Sequence, residues 1–398
     1  MRYTAIILLL SLFTAQLSAQ NVDNQDIIDA NTITTAVPFL RINPDARSGA
    51  MGDVGLALGA DANAIFTNPA RMAFIESEYG VSMTFVPWLR NLVRDVYLAD
   101  LVGYYRLPNA QTISSSMRYF SLGEIQFTDN QGNSLGTGQP KEFAMDLNYA
   151  RAFGEEGGFQ TGVGVGLRYI YSNLSVSSNV SSGPDIRPGH AAGADVSVFM
   201  TKPYKLDKIK GMDFNMGLAI TNIGSKMTYT QNAVNKDFIP TNLGIGFGAD
   251  LHIDDIHSVG IYADVNKLLV PTPDTVDANN DGVFDYRERS VVGGMFSSFA
   301  DAPGGFKEEL REFYVGAGVE YWYNKQFALR MGYFYEHPTK GARKFLSAGA
   351  GVKYSVFSLN FAYLIPTSSN RNPLDNTLRF SLLFEFNKDS EAAPIGVQ

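Results

Sequence analysis

Residues 159–172 read FQTGVGVGLRYIYS, and the period of that stretch is two. Phe159, Thr161, Val163, Val165, Leu167, Tyr169 and Tyr171 fall on one face. Gln160, Gly162, Gly164, Gly166, Arg168 and Ser172 fall on the other, with Ile170 the exception. Successive side chains of a strand point to opposite sides. The stretch is therefore a strand with an apolar medium on one side and a polar or narrow space on the other. The pattern recurs in MDFNMGLAIT (212–221), where Met212, Phe214, Met216, Leu218 and Ile220 oppose Asp213, Asn215, Gly217, Ala219 and Thr221. It recurs again in FYVGAGVEYWY (313–323), where Gly316, Gly318 and Glu320 form the second face. These strands run to about ten residues, beyond the ~5–6 of soluble sheets and matched to the ~9–11 of a tilted membrane strand.

Fourteen such segments follow one another, beginning near 79, 96, 112, 142, 159, 190, 211, 241, 257, 312, 327, 345, 356 and 378. Their number is even, as in bacterial outer-membrane barrels. Short connectors (108–111, 154–158, 253–257, 323–326) alternate with long ones (127–141, 173–189, 224–240, 271–311, 365–377). That is the pattern of periplasmic turns and extracellular loops, with both termini in the periplasm. The expected fold is all-β: a 14-stranded antiparallel transmembrane β-barrel over residues 79–388, with the final strand LRFSLLFEF (378–386) placing Leu378, Phe380, Leu382, Phe384 and Phe386 on the lipid side.

The inward face carries many glycines, among them 164, 166, 217, 244, 246, 248, 316, 318, 349 and 351, and the charges Arg168, Asp250, Asp264, Glu320, Arg330, Lys353 and Arg379. Glycine leaves room in the lumen. Residues 30–76 lack strand alternation and read as short helices and turns, with too many apolar residues for a disordered arm. Residues 20–78 are expected to form a periplasmic arm and a lumenal plug. The N-terminus, MRYTAIILLLSLFTAQLSAQ, has Arg2, an apolar run from Ala5 to Phe13 and Ala19 at a plausible cleavage site, so 1–19 reads as a signal peptide. Residues 389–398 read as a periplasmic tail.

Composition narrows function. The chain has no cysteine, so it has neither a disulfide framework nor a thiolate site. Its net charge of -8 argues against nucleic acid as a partner. Four histidines (190, 252, 257 and 337) and the absence of a G-x-S-x-G elbow give no hydrolase constellation, and no enzyme is expected. His252 and His257 fall at a short turn.

One motif is sharp. DANNDGVFDYRE (277–288) fills the side-chain positions of a twelve-residue calcium loop. The expected ligands are Asp277, Asn279, Asp281, the carbonyl of Val283, Asp285 directly or through water, and Glu288. Pro271 and Pro273 precede it in LLVPTPDTV, so the first helix of an EF-hand is missing. The ion's expected role is structural, ordering a long extracellular loop. In the same connector MFSSF (295–299) puts Met295, Phe296 and Phe299 in an exposed setting, either packed on the rim or as a docking surface for a partner.

PFLRINPDARSGAMGDVGLAL (38–58), ANAIFTNPARMAF (62–74) and GGMFSSFADAPGGFKEELREF (293–313) together resemble the PorV family of the Bacteroidetes type IX secretion system. Asn68, Pro69 and Ala70 also resemble the plug motif of the wider FadL-like barrels. The resemblance implies an outer-membrane barrel that binds the folded C-terminal signal domain of secreted cargo at a very large translocon barrel. It implies delivery of that cargo to a surface attachment complex containing a sortase-like transpeptidase. Among outer-membrane lipids, the barrel would serve as the anchor of a shuttle, with no catalytic residue implied. The alternative is a FadL-like transporter of hydrophobic small molecules, which predicts an apolar lumenal path.

Overall fold

A computed structural model describes residues 30–88, 95–128, 131–155, 157–174, 187–230, 236–367 and 377–387. The expected signal peptide, residues 20–29 of the arm and the tail lie outside the described residues. Fourteen strands close an antiparallel barrel. They are β1 (Tyr79–Pro87), β2 (Val96–Leu107), β3 (Gln111–Leu122), β6 (Lys141–Phe153), β7 (Gln160–Asn173), β8 (Gly189–Tyr204), β9 (Gly211–Gly224), β10 (Asn242–His252), β11 (His257–Leu268), β12 (Phe313–Tyr323), β13 (Phe327–Tyr335), β14 (Lys344–Tyr354), β15 (Phe357–Pro366) and β16 (Leu378–Phe386). Each begins within one residue of the position expected from periodicity. The connector between β3 and β6 holds a separate hairpin, β4 (Ile125–Thr128) and β5 (Ser134–Gly138), that periodicity alone left within a loop.

β1 closes the barrel against β16, with Tyr79 opposite Phe386 and Phe85 opposite Phe380. Two short turns show why the hairpins are tight. Asn109 and Ala110, and Asn324 and Lys325, both have two successive residues at positive φ, between 52° and 60°. That geometry matches the right-handed twist of the flanking strands. No helix among the described residues is long and apolar enough to cross a membrane; the strands do so.

The inward charges meet across strands. Arg118 faces Asp100, Arg168 faces Asp146, and Arg330 faces Glu320, each pair directly opposite in register. Their side chains join at 2.9, 2.5 and 2.6 Å. Opposed charges at facing positions stabilise a sheet, and here they line the lumen. Asp264 and Arg379 meet the lumenal segment instead, and Lys353 is exposed near the short turns, paired with Glu385 at 2.9 Å.

Residues 30–76 run through the barrel. They contain α1 (Ala46–Gly49), capped by the Asp45 carboxylate, and 3-10 turns at Pro38–Arg41, Ala62–Phe66 and Pro69–Phe74. Among the described residues the segment starts at the long-loop rim. Asn31 stands at that rim: its amide N–H donates to Thr339 and its side chain to the Pro273 carbonyl. Phe39 packs there with Leu98, Phe120 and Ile239. The segment then descends, and Glu78 meets Phe386 and Arg106 at the short-turn rim. Apolar content on a stretch without alternation indicated burial; it carried no information on which end the chain enters.

Candidate functional site

Two regions are candidates: the lumenal segment and the connector 269–312 at the long-loop rim. The segment is first folded on itself. Arg71 donates to the carbonyls of Gly55, Leu58 and Gly59 at 2.6–2.8 Å, gathering that turn around one buried guanidinium. Asn68 accepts from the Ala70 N–H at 3.2 Å and donates to the carbonyls of Leu56 (2.9 Å) and Val198 (3.1 Å). Pro69 sits at the first position of the turn, where its missing N–H costs nothing. Ala70 N–H also donates to Ser197 at 3.0 Å. The Asn68-Pro69-Ala70 motif thus ties the segment to β8.

The wall is charged where the segment meets it. Arg47 forks onto Glu320 (2.7 and 3.0 Å), which also accepts from Arg330. Arg47 reaches Asp61 at 2.9 Å as well. Asp264 accepts from the N–H groups of Gly55 and Leu56 at 2.6 and 2.9 Å. Arg379 pairs with Asp53. Arg41 and Arg343 share Glu336 at 2.9 and 2.6 Å. Burial would raise the Glu336 carboxyl, but the two guanidiniums overcome it and hold it below the ordinary range. A polar cavity of about 100 Å³ lies between segment and wall, lined by Asn43, Asp53, Thr67, Asn242 and Asn266 among others. It is room for a few waters of ~30 Å³ each.

The rim connector carries three helices, α2 (Asp285–Glu288), α3 (Val291–Ser297) and α4 (Phe306–Arg311). Ser290 caps α3, accepting from the Gly293 N–H. The inner side of α4 is ionic. Lys267 donates to Glu309 (3.2 Å) and Glu312, and Lys340 to Glu312 (3.0 Å) and Glu308. Thr272 donates to Glu312 at 2.6 Å, and Asn31 to Glu308 at 3.3 Å. Lys267, Lys340, Glu309 and Glu312 are all buried. Burial would raise the Glu308 carboxyl, but the bond from Lys340 leads the effects that hold it lower.

The outer side is apolar. Phe296 is 76% exposed and Phe306 78%, with Val292, Phe299 and Leu310 also exposed. Of the three residues singled out by sequence, Phe296 and Phe299 are exposed, the Phe299 ring also lying 5.9 Å from the buried Lys267 ammonium, and Met295 is half-buried. Val292, Phe306 and Leu310 were missed. The i, i+4 spacing of Val292 with Phe296 and of Phe306 with Leu310 places each pair on one helix face; that spacing was the available signal.

The acidic loop precedes α2, and residues 269–284 contain no helix. Asp277 accepts from the N–H groups of Asp281 (3.2 Å) and Gly282 (3.0 Å), closing the turn at Gly282, φ 86°. Asp285 reaches back to the Ala278 N–H at 3.1 Å. The Asn279 amide bridges Asp281 (3.1 Å) and Glu288 (3.3 Å). The donors are all oxygen, in the order a hard cation needs. As the side chains stand, no group of three or more His, Cys, Asp or Glu among the described residues is placed to hold a metal ion.

The histidines do not assemble. His252 contacts Asp213 at 2.8 Å, and His257 contacts the Tyr321 hydroxyl at 2.7 Å.

Comparison with known proteins places the chain. Solved structures similar to it include the Ralstonia pickettii toluene transporter TbuX, at 12% identity and a TM-score of 0.47 over 87% of this chain and 98% of that one. A Pseudomonas aeruginosa FadL homologue is 12% identical with a TM-score of 0.45, over 90% and 100% of the two chains. No curated protein matches the sequence. The family model described as type IX secretion system protein PorV matches residues 24–275. The chain therefore belongs to the PorV family, non-enzymatic outer-membrane β-barrel components of the type IX secretion system.

Proposed function

We propose that the chain binds the C-terminal signal domain of secreted cargo at the large translocon barrel and carries it to the sortase-like attachment complex at the cell surface. The observation that carries this reading is the two-sided build of α3 and α4. Their outer faces expose Val292, Phe296, Phe306 and Leu310, with Phe299 just past α3 also exposed, while a buried lysine–glutamate cluster fixes α4 from below. Exposed apolar side chains on an anchored support are the feature of a recognition surface. The long-loop rim is then the extracellular one. The charged contacts of the lumenal segment weigh against the alternative, a transporter of hydrophobic small molecules, which needs an apolar path.

Deleting the protein is expected to leave secreted cargo with its C-terminal signal uncleaved. Replacing Phe296 and Phe306 together by aspartate should give the same defect while the barrel remains in the outer membrane. Cargo processed normally in the deletion strain would remove the shuttle reading. Normal processing in the double variant would remove only the assignment of the surface.

The acidic loop is proposed to bind calcium through Asp277, Asn279, Asp281, the Val283 carbonyl, Asp285 and Glu288, fixing the approach to α2 and α3. Extracellular sites of this kind bind at ~10⁻⁴–10⁻³ M. In millimolar calcium, Glu288→Ala is expected to increase protease cleavage between 271 and 311. Chelator should raise cleavage of the parent protein to the same level. Identical digestion of parent and variant, with and without chelator, would count against a bound ion.

A further inference from the structure

The outward face of the barrel contains a gap. Across the seam where the barrel closes, one row of facing residues reads Phe361, Phe380, Phe85, Ala99, Tyr119, Phe143, Tyr171, each opposite the next on the neighbouring strand. Six are aromatic, and several touch ring to ring, as Phe361 does with Phe380 (5.4 Å between centroids) and Phe143 with Tyr171 (4.9 Å). Such a girdle is ordinary in a membrane barrel. Alanine in its middle is not. The adjacent row is aliphatic and pliant: Leu359, Leu382, Met83, Leu101, Met117.

The alanine opens a recess. A cavity of about 540 Å³ lies over Ala99, walled by Phe85, Tyr119 and Phe380 and continued by Met83, Leu101 and Met117. Thr84, Asp100 and Ser381 also border it, although their side chains are buried on the lumenal side, where Thr84 meets Ser381 and Asp100 meets Arg118. The recess therefore reaches down to the strand backbone. That backbone is paired in an unbroken ladder from β15 through β16, β1 and β2 to β3, so it offers no free polar group there. The lining side chains are apolar, and the recess opens on the outward face of the barrel, from the aromatic girdle toward the aliphatic row beside it.

We propose that this recess is a binding site for a single acyl chain of a membrane lipid. The notch at Ala99 admits the chain beside Phe85 and Tyr119, bounded by Tyr97, whose ring lies 5.6 and 6.1 Å from theirs. Methionines at 83 and 117 adapt to its course, as unbranched side chains do at irregular apolar surfaces. The occupant is lipid because the recess is continuous with the lipid-facing surface and lacks the polar rim that protein interfaces carry. The proposal stands independently of cargo binding.

The absence of native cysteine makes the test direct. Ala99→Cys and, as a control on the lipid face of β7, Val165→Cys are each purified in detergent and alkylated with an apolar maleimide. The probe is palmitoyl lysophosphatidylcholine, titrated into both. The expected result is a several-fold, saturable slowing at position 99 and none at 165. Equal slowing at both positions, or none at either, overturns the proposal. Slowing at 99 by added purified translocon barrel but not by the lipid also overturns it and assigns the recess to a protein contact. A second measurement uses Ala99→Phe, which fills the notch. Native mass spectrometry should find a retained lipid on the parent barrel and its loss on the variant.

Discussion

Replacing Glu320 by alanine is expected to unseat the lumenal segment while leaving the barrel closed. Glu320 is 1% exposed and accepts from two arginines, one from each side of the seam: Arg47 of the segment and Arg330 of β13. Without the carboxylate, two guanidiniums face each other, that of Arg330 wholly buried and that of Arg47 largely so. Arg47 retains Asp61, and Arg330 retains the side-chain amide oxygen of Asn360 at 2.9 Å. Neither contact supplies the charge that is lost for Arg330, whose side chain is wholly buried. Removing one member of a buried ionic group costs about 3–5 kcal/mol. The cost falls on the contact between segment and wall, because the strands are held by backbone ladders that the substitution does not touch. The variant should therefore keep the heat-dependent gel mobility of a folded barrel yet admit trypsin at Arg41, Arg47 and Arg71. Glu320→Gln keeps the shape and two acceptor lone pairs and should show a smaller effect. Digestion indistinguishable from the parent would show that the ionic contact does not hold the segment.

The barrel was legible because its signal is local and repeated. Each strand states its two faces within about ten residues, and connector length states which rim is which. Arg168, Glu320 and Arg330 could be assigned inward from their own strands alone. Their partners could not. Arg47 and Glu320 lie 273 residues apart, and nothing near either names the other. The direction of threading was hidden for the same reason, since it depends on Asn31 meeting Thr339, Pro273 and Glu308. At the rim, MFSSF stood out as an apolar run. Phe306 and Leu310 did not, because Lys307, Glu308 and Glu309 separate them in sequence and only helix geometry sets them on one face. The Ala99 recess needs the register of seven strands before the alanine is seen to interrupt anything.

A large steric effect is expected from Gly332→Val. Gly332 lies on the inward face of β13, opposite Gly318 of β12. A Cβ at 332 would stand 2.1 Å from the Met51 carbonyl carbon and 2.3 Å from the Gly52 nitrogen. One at 318 would stand 2.4 Å from the Met51 Cβ. The contact is reciprocal: Gly52 has φ 71°, and a Cβ there would come within 2.4 Å of the Tyr333 carbonyl oxygen. Backbone rests on backbone here, so no side chain can rotate aside to admit the valine. Glycine is required on both surfaces, on one for its conformation and on both for its size. The wall itself tolerates the change, since valine suits a strand better than glycine does. The two surfaces must then separate, breaking the bond from Gly52 N–H to Ser347 and drawing Asp53 from Arg379. Amide hydrogen exchange of residues 46–56 should accelerate strongly in Gly332→Val, with the strand amides of β12 and β13 still protected. Gly103→Ala, at a position where a Cβ meets nothing within 4 Å, should leave both unchanged. Unaltered protection of 46–56 in Gly332→Val would mean that the segment does not rest on β13 as described. Loss of protection in the strands as well would mean that segment and wall fold as one unit.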